Sequence, residues 1–269
     1  MKKTILLTGA TDGIGLEAAK LFVSEGHHLL VHGRNPAKLE KVERELTALN
    51  AGTVESLVAD LSVMDEVAAL AQSVLDQHKQ LDVLINNAGV FNTKEPITSA
   101  GLDVRFVVNT IAPYLLTQRL LPLLGSNGRV INLSSAAQAP VDAEALLGNV
   151  RLSDQAAYAQ SKLAITMWSS ALAATIGADG PAVIAVNPGS LLGSKMVKEA
   201  FGIDGGDLGK GAAILRRAAL DDEFATATGR YFDNDSGQFA PPHPDALDPV
   251  ACQQIARLVD SVAADSMRR

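Results

Sequence analysis

Cysteine is nearly missing from this chain. The one copy, Cys252, in 269 residues excludes an internal disulfide and fits a reducing compartment. Basic charge is in deficit: 23 Lys and Arg against 30 Asp and Glu leave a net charge of −7. With no Lys/Arg cluster to offset it, that balance argues against a nucleic-acid surface. No apolar run approaches the roughly 20 residues a membrane span requires. Met1-Lys2-Lys3 resembles the start of an export signal, but the apolar run that follows, Ile5-Leu6-Leu7, ends at Thr8-Gly9 and is too short for one. These absences together predict a soluble, cytoplasmic protein. A linker is missing too, so one domain is expected.

What the chain does have is a 47% hydrophobic composition, ample for a large core. Apolar runs at Thr4–Leu7, His28–His32, Val54–Ala59, Val83–Asn86, Arg129–Leu133 and Val183–Asn187 read as strands. Between them, helices are expected over Ile14–Gly26, Pro36–Asn50, Val63–Lys79, Leu102–Leu124 and Asp154–Ile176. Asn35 can cap the second helix, with Pro36 at its first position, and Gly177 can close the last. Several strands are apolar throughout, as expected when helices cover both sheet faces. Repeated β-α units of this kind indicate an α/β, three-layered, doubly wound parallel sheet, the Rossmann arrangement. Ligands of such sheets bind beyond the carboxyl ends of the strands.

The first strand runs into Thr8-Gly9-Ala10-Thr11-Asp12-Gly13-Ile14-Gly15. Gly9 permits a tight turn, Gly13 lets backbone approach a pyrophosphate, and Gly15 allows close helix–strand contact. The free amides of the helix start then face the phosphates. An ordinary glycine-rich strand–turn–helix junction is the alternative. The second strand ends in Gly33-Arg34-Asn35, where an NAD site would carry an acidic residue for the ribose hydroxyl. Arg34 suits a 2′-phosphate instead, so NADP(H) is preferred and NAD(H) remains compatible. Asp12 counts mildly against this, because it adds negative charge nearby.

Tyr158 and Lys162 stand four residues apart in a helical stretch, side by side on one face. Neither Tyr114 nor Tyr231, the other tyrosines of three, has that partner: Gln118 and Asp235 follow them at the fourth position. An adjacent ammonium is expected to draw the phenol below its usual pKa of about 10, making it a general acid/base. A packed ring beside a solvated amine is the bland alternative. His27, His28, His32, His78 and Cys252 show no metal-ligand spacing and read as strand, loop or surface residues, so no metal is expected.

The glycine loop, Asn86-Asn87-Ala88-Gly89, Leu133-Ser134-Ser135 and the Tyr158/Lys162 pair follow one another in an order that resembles the short-chain dehydrogenase/reductase family. The resemblance runs through about Gly189 and more loosely to the end. It implies that Asp60-Leu61 contact the adenine and that Asn87, Ala88 and Gly89 line the cofactor. It implies that Asn109 helps hold a proton-relay water, that Ser135 hydrogen-bonds the substrate oxygen and that Ser134 is a structural neighbour. By the same resemblance Tyr158 is the proton donor, Lys162 binds the nicotinamide ribose and lowers the tyrosine pKa, and Pro188-Gly189 turns near the nicotinamide, with Leu191 following. Thr11, Asp12 and Ile14 complete the expected cofactor set with the three glycines, Arg34 and Asn35.

The connection Ala136–Ala157 is longer than is common in the family and resembles the retinol-dehydrogenase-like and monomeric carbonyl-reductase-like branches. It is expected to overhang the pocket mouth, and it can block the helix packing by which many members associate, so either a monomer or a homodimer is expected. Gly193 replaces a threonine usual for the cofactor carboxamide, leaving Ser194 or backbone amides to that contact. The stretch 190–209, with Leu191, Leu192, Met196, Val197 and Phe201, reads as a substrate lid or as a short surface helix packed for stability. After a last strand at Arg230–Phe232, the proline-containing stretch Asp233–Leu247 reads as loop and as another wall of the site. Asn234-Asp235-Ser236 fits a glycosylation pattern, irrelevant in cytoplasm.

The function expected is hydride transfer between NADP(H) and a carbonyl or alcohol on a small, fairly apolar molecule. Few aromatics and many Leu, Val and Ala point to a general apolar pocket. Two other readings stay open: a nucleotide-sensing or scaffold protein without the chemistry, and a reductase of an activated carbon–carbon double bond.

Overall fold

The structure, a computed structural model, describes residues 1–268 apart from the side chains at 200 and 201, so the expected lid contact from Phe201 lies outside the described residues. In chain order the elements are β1 (Thr4–Leu7), α1 (Gly13–Ser24), β2 (His28–Gly33), α2 (Pro36–Thr47), β3 (Thr53–Val58), α3 (Met64–Gln77), β4 (Val83–Asn86) and α4 (Val104–Phe106). There follow α5 (Ala112–Leu120), β5 (Arg129–Leu133), α6 (Ala143–Leu146), α7 (Asp154–Ile176), β6 (Ala182–Asn187), α8 (Lys195–Phe201), α9 (Leu208–Leu220), β7 (Tyr231–Asp233), β8 (Gln238–Phe239) and α10 (Pro249–Ser266).

The strands form one sheet in the order β3-β2-β1-β4-β5-β6-β7-β8, parallel except for β8. Successive side chains of each strand point to opposite faces. Leu6 and Leu30 pack with residues of α3, α5, α7 and α10. Ile5, Leu7 and Leu29 pack on the other face with residues of α1, α2 and α9. Both faces are therefore covered, which is why the strands are apolar throughout. Strand order reverses between β1 and β4, and it is beyond the carboxyl ends at such a point that sheets of this kind bind ligands. The glycine loop and Asn87-Ala88-Gly89 leave those two strands.

Local signals account for several boundaries. Asn35 Oδ1 accepts from the Lys38 amide at 3.0 Å with Pro36 opening α2, and Ser153 caps α7 through the Ala156 amide at 3.3 Å. Helix α7 covers the expected Asp154–Ile176 and ends at Gly177, φ 69°.

The expected Leu102–Leu124 helix is not continuous. After α4 the chain makes a π turn over Val107–Ile111, and α5 gives way to a 3-10 turn at Leu121–Leu123. Pro113 and Pro122 are the cause, since neither has an amide to donate: Pro113 denies Asn109 its ordinary helical partner, and the Ala112 amide reaches back to Val107 instead.

The stretch Asp233–Leu247, expected as loop, contains β8 and a 3-10 turn at Pro244–Leu247. Phe239 on β8 is held by Phe224 and Phe232, with ring centroids 5.1 Å apart in both pairs. Helix α10 buries Cys252, Ile255, Val259, Val262 and Ala263 and packs against α7 and α5. Among the described residues no helix is long and apolar enough to cross a membrane.

Candidate functional site

The site is assembled where β1, β4, β5 and β6 end. Thr8, the last buried residue before the glycine loop, accepts from the Asn87 and Ala88 amides at 3.0 and 3.1 Å. Asn87 Nδ2 returns bonds to the carbonyls of Thr8 and Gly9 at 2.8 and 3.0 Å. His32, buried at the end of β2, completes the frame. Its Nδ1 meets the Gly9 amide at 3.3 Å and its Nε2 the Ala59 carbonyl at 3.0 Å. That pairing takes the neutral ring with its proton on Nε2, and burial keeps the imidazole below its ordinary pKa. Neither residue is given a role by the sequence alone, where Thr8 opens the glycine motif and His32 reads as a strand, loop or surface residue.

Two glycines of the loop are required for different reasons. A β-carbon on Gly15 would stand 2.2 Å from the Gly9 carbonyl oxygen and 2.6 Å from Asn87 Nδ2, so the helix seats on the loop only without one. Gly13 has φ +55°, and a β-carbon there would meet only Ser194 Cβ at 3.6 Å. The space above the start of α1 is thus free for a phosphate, with the segment after β6 facing it. Asp12 caps α1 by accepting from the Gly13 amide at 2.7 Å. Thr11 packs beside Gly33, and Ile14 packs against Gly211 of α9. Arg34 is exposed and, among the described residues, has no ion-pair partner.

Asp60 accepts from the amide and hydroxyl of Ser62 at 2.8 and 2.7 Å, which fixes the turn after β3. Leu61 is buried in the core. Gly89 lies close to the Tyr158/Lys162 pair, since a β-carbon on it would fall 3.3 Å from Asn109 Oδ1 and 3.6 Å from Lys162 Nζ. Asn109, inside the π turn, uses its whole side-chain amide. Oδ1 accepts from the Val90 amide at 2.8 Å, and Nδ2 donates to the Val90 carbonyl and Ser161 Oγ, each at 3.0 Å. It thereby pins the 87–90 turn to α7.

Tyr158 and Lys162 do share one face of α7, with Nζ 5.7 Å from the phenol ring centroid. Ser135, after β5, hydrogen-bonds the phenol. Phe91, which carried no sequence signal, packs edge-on against the Tyr158 ring at 4.8 Å. Ser134 is structural as expected: buried, its Oγ lies 2.7 Å from Thr166 Oγ1 and 3.0 Å from the Lys162 carbonyl.

The electrostatics correct the expected tyrosine shift. Burial pushes the Tyr158 phenol up, with the Ser135 hydrogen bond opposing. The lysine is the group that moves toward neutrality, as desolvation lowers Lys162 to about 8. Its Nζ donates to the Leu133 carbonyl at 2.7 Å rather than to the phenol. Only 4% of Lys162 is exposed, so the loss of water outweighs any benefit the lysine charge confers on a phenolate.

The turn after β6 is strapped from behind by the β7–β8 connection. Asn187 Nδ2 donates to Asp233 Oδ1 at 2.8 Å and to Asp235 Oδ2 at 2.9 Å. Asp235 also accepts from the Ser190 amide and hydroxyl at 2.8 and 2.5 Å. Asn234 Nδ2 holds the Pro188 carbonyl at 2.8 Å. Burial alone would raise both carboxyls, but these donors hold Asp233 and Asp235 below the usual range. Beyond the strap, Gly189 (φ 122°) and Leu191 (φ 50°, 49% exposed) carry the chain outward. Ser194 caps α8 through the Val197 amide at 3.3 Å. Met196 reaches over Gly89, the sulfur-bound methyl lying 3.9 Å from a β-carbon placed there. The 190–209 stretch is thus a helix plus a bridge, Leu192 to Gly206, lying over the glycine loop.

The long 136–157 connection folds onto the sheet side away from α1. Leu146 of α6 is fully buried in the α3/α7/α10 core. Buried Arg105 ties the region together through Asp103 and Asp154, the latter opening α7. A cleft of about 320 Å³ beside Ser135 is lined by Ala136, Gln138, Tyr231, Asp235, Pro241 and His243. A second cavity of about 490 Å³ lies further along α7, at Thr166, Ser169 and Ser170, away from Tyr158 and Lys162. The fold also draws His28 and His78, 50 residues apart, onto Glu55 at the opposite end of the sheet.

A short chain dehydrogenase family profile matches residues 3–202. The chain is 31% identical over 253 residues to the short-chain dehydrogenase TIC 32 A, chloroplastic, of Brassica napus, covering 85% of this chain and 79% of that protein. Human retinol dehydrogenase 13 is 32% identical over 193 residues, covering 70% of this chain and 58% of its own length. A crystal structure of a short chain dehydrogenase from Burkholderia cenocepacia in complex with NADP superposes with a TM-score of 0.70 at 25% identity, covering 88% of this chain and 97% of the other.

Proposed function

The chain belongs to the short-chain dehydrogenase/reductase family, in a branch with retinol-dehydrogenase relatives, and is an NAD(P)-dependent oxidoreductase; on that premise we propose that it transfers a hydride between NADP(H) and a carbonyl or alcohol on a small, fairly apolar substrate. The observation that carries this reading is the convergence of Ser135, Tyr158 and Lys162 on one end of α7, beside Gly89 and below the glycine loop.

The cradle fits a dinucleotide: open space over Gly13, the amide end of α1, and the point where strand order reverses. Gly9, Thr11, Gly13, Ile14 and Gly15 would hold the pyrophosphate, Asp60 and the Leu61 backbone the adenine, and Asn87, Ala88, Gly89, Pro188, Gly189 and Leu191 the nicotinamide half. When bound, the cofactor supplies the hydride. Arg34 supports NADP, because it is exposed, unpaired among the described residues, and placed where β2 ends with Gly33 and Asn35, not an acidic residue, beside it in the chain.

The protein's own residues handle the proton. Ser135 donates to the substrate oxygen and Tyr158 passes its proton to that oxygen as negative charge develops. A phenol pushed up by burial is protonated at neutral pH, the state a reduction needs. Lys162, lowered to about 8, titrates close to working pH and stands ready to replace the proton. Asn109 positions rather than reacts, since its side chain is committed to Val90 and Ser161.

Segment 190–209 acts as the lid, supported by Ser194 and Met196 lying over Gly13 and Gly89. A monomer is favoured, because α10 packs over α7 and α5 and occupies the helix surface that association would use. Cys252, on the buried face of α10, suits a reducing cytoplasm.

The test is Tyr158→Phe, assayed by NADPH oxidation with an aldehyde and ketone panel. Turnover should fall by about 100- to 10,000-fold, the range for losing a general acid, with NADPH affinity kept. Turnover within a few-fold of the parent would reject the role.

A further inference from the structure

His28, Glu55 and His78 meet at the end of the sheet opposite the cofactor cradle. His28 is the first residue of β2 and pairs with Thr4 and Thr53, whereas Glu55 on β3 lies opposite Leu30. Alternate strand residues share a face, so His28, Leu30 and Glu55 all point to the side covered by α3. Leu30 there joins Val67, Leu70 and Val74 of that helix. His78 is the residue that ends α3. Three elements therefore deliver one side chain each to the same point.

The donors are aimed at one another. His28 Nε2 lies 2.7 Å from one Glu55 oxygen and His78 Nε2 3.2 Å from the other. The imidazoles are tilted by 56° with centroids 5.6 Å apart, so they do not stack. All three ligand atoms lie within 4.8 Å of one another. Among the described residues, Glu55 has no lysine or arginine partner. The side chains are 20%, 40% and 12% exposed for His28, Glu55 and His78, which leaves a path from solvent and room for water.

We propose that His28, Glu55 and His78 bind a divalent transition-metal ion, zinc foremost, as a clamp between β2, β3 and the end of α3. Two imidazole nitrogens and a carboxylate match zinc's preferred donors, with water taking the fourth position, whereas calcium and magnesium seek oxygen ligands. Bonds of about 2.0–2.2 Å at tetrahedral angles set the donors roughly 3.3 Å apart. The two pairs measured at 2.7 and 3.2 Å are already near that spacing. Side-chain rotation closes the rest, and each ring must carry its remaining proton on Nδ1.

The test uses the tag-free full chain, stripped with EDTA and titrated with Zn²⁺ by calorimetry, with Co²⁺ absorption reporting coordination. One ion per chain and a rise in Tm are expected. Glu55→Gln and His78→Asn should each weaken Zn²⁺ by more than the roughly 10–100-fold that loss of an outer metal partner costs. NADPH binding should stay at the parent level in both, which shows that they fold, and His243→Asn should leave Zn²⁺ binding intact. Absence of stoichiometric binding would reduce the trio to a hydrogen-bonded cluster and overturn the proposal. Stoichiometric binding that survives both ligand variants would overturn it equally.

Discussion

Replacing Gly15 by alanine and, separately, Gly13 by alanine should damage the protein in different ways, although both belong to the same loop. At Gly15 the new methyl would lie 2.2 Å from the Gly9 carbonyl oxygen. A comfortable contact needs roughly 3.5 Å, so more than an ångström must be found. Gly9 cannot readily yield, because Asn87 Nδ2 holds that oxygen at 3.0 Å and His32 Nδ1 holds its amide at 3.3 Å. The cost is that of overpacking against fixed backbone, about 3 kcal/mol, and at about 2–4 °C per kcal/mol the Tm should drop by roughly 6–12 °C. At Gly13 there is room, with the nearest atom at 3.6 Å, and only the positive φ of 55° resists. That strain costs about 1–2 kcal/mol, a drop of a few degrees. The methyl would instead stand in the space left for a phosphate. Losing one charge-assisted hydrogen bond there, about 1.5–3 kcal/mol, corresponds to about 10- to 150-fold weaker NADPH binding. Thermal melts and NADPH fluorescence titrations on both variants separate the two effects. A Gly15→Ala protein that melts with the parent, or a folded Gly13→Ala protein that binds NADPH with parental affinity, would refute the reasoning.

Arg34→Ala should weaken NADPH far more than NADH in paired titrations; equal losses would remove the 2′-phosphate contact. Asp235→Asn releases the turn at Ser190, and because the carboxylate is exposed its bonds are discounted for screening to about 1 kcal/mol. The KM for NADPH should then rise by about fivefold with little change in Tm, and an unchanged KM would show the strap to be irrelevant to the cofactor. Acidification should destabilise the fold. Burial holds His32 and His27 below the ordinary value of 6.5, so their contribution is complete above that pH and is lost as pH falls, at up to about 1.4 kcal/mol per pH unit for each ring. Melts between about pH 7.5 and 5.5 check this, and a flat profile would contradict it.

Legibility in the sequence followed locality. The strands through β6 and the caps of α2 and α7 could be read from patterns a few residues long, since propensity, capping and apolar runs act over that range. Motifs at strand ends were equally readable, because a parallel sheet brings those ends together whatever lies between them. The strap from Asp233, Asn234 and Asp235 was not. A polar tripeptide between two strands looks the same whether it faces solvent or braces Asn187 and Ser190, and here it read as a glycosylation pattern. The π turn escaped because Pro113 in a helical pattern announces a break without its form. The tyrosine shift was misjudged for a related reason. Spacing along α7 places the lysine charge beside the phenol, but how far both are stripped of water depends on β5 and Phe91, which are remote in sequence. Only folding brings Glu55 between two histidines, and no local spacing records that.

The β7–β8 hairpin that braces the turn after β6, with the segment that follows it, also lines the cleft beside Ser135, through Tyr231, Asp235, Pro241 and His243. If the proposed function holds, substrate choice and coenzyme grip would be mechanically coupled through this segment. Changes in that hairpin made to admit a new substrate will also retune how firmly the coenzyme is held, so laboratory evolution of one property should keep producing side effects in the other.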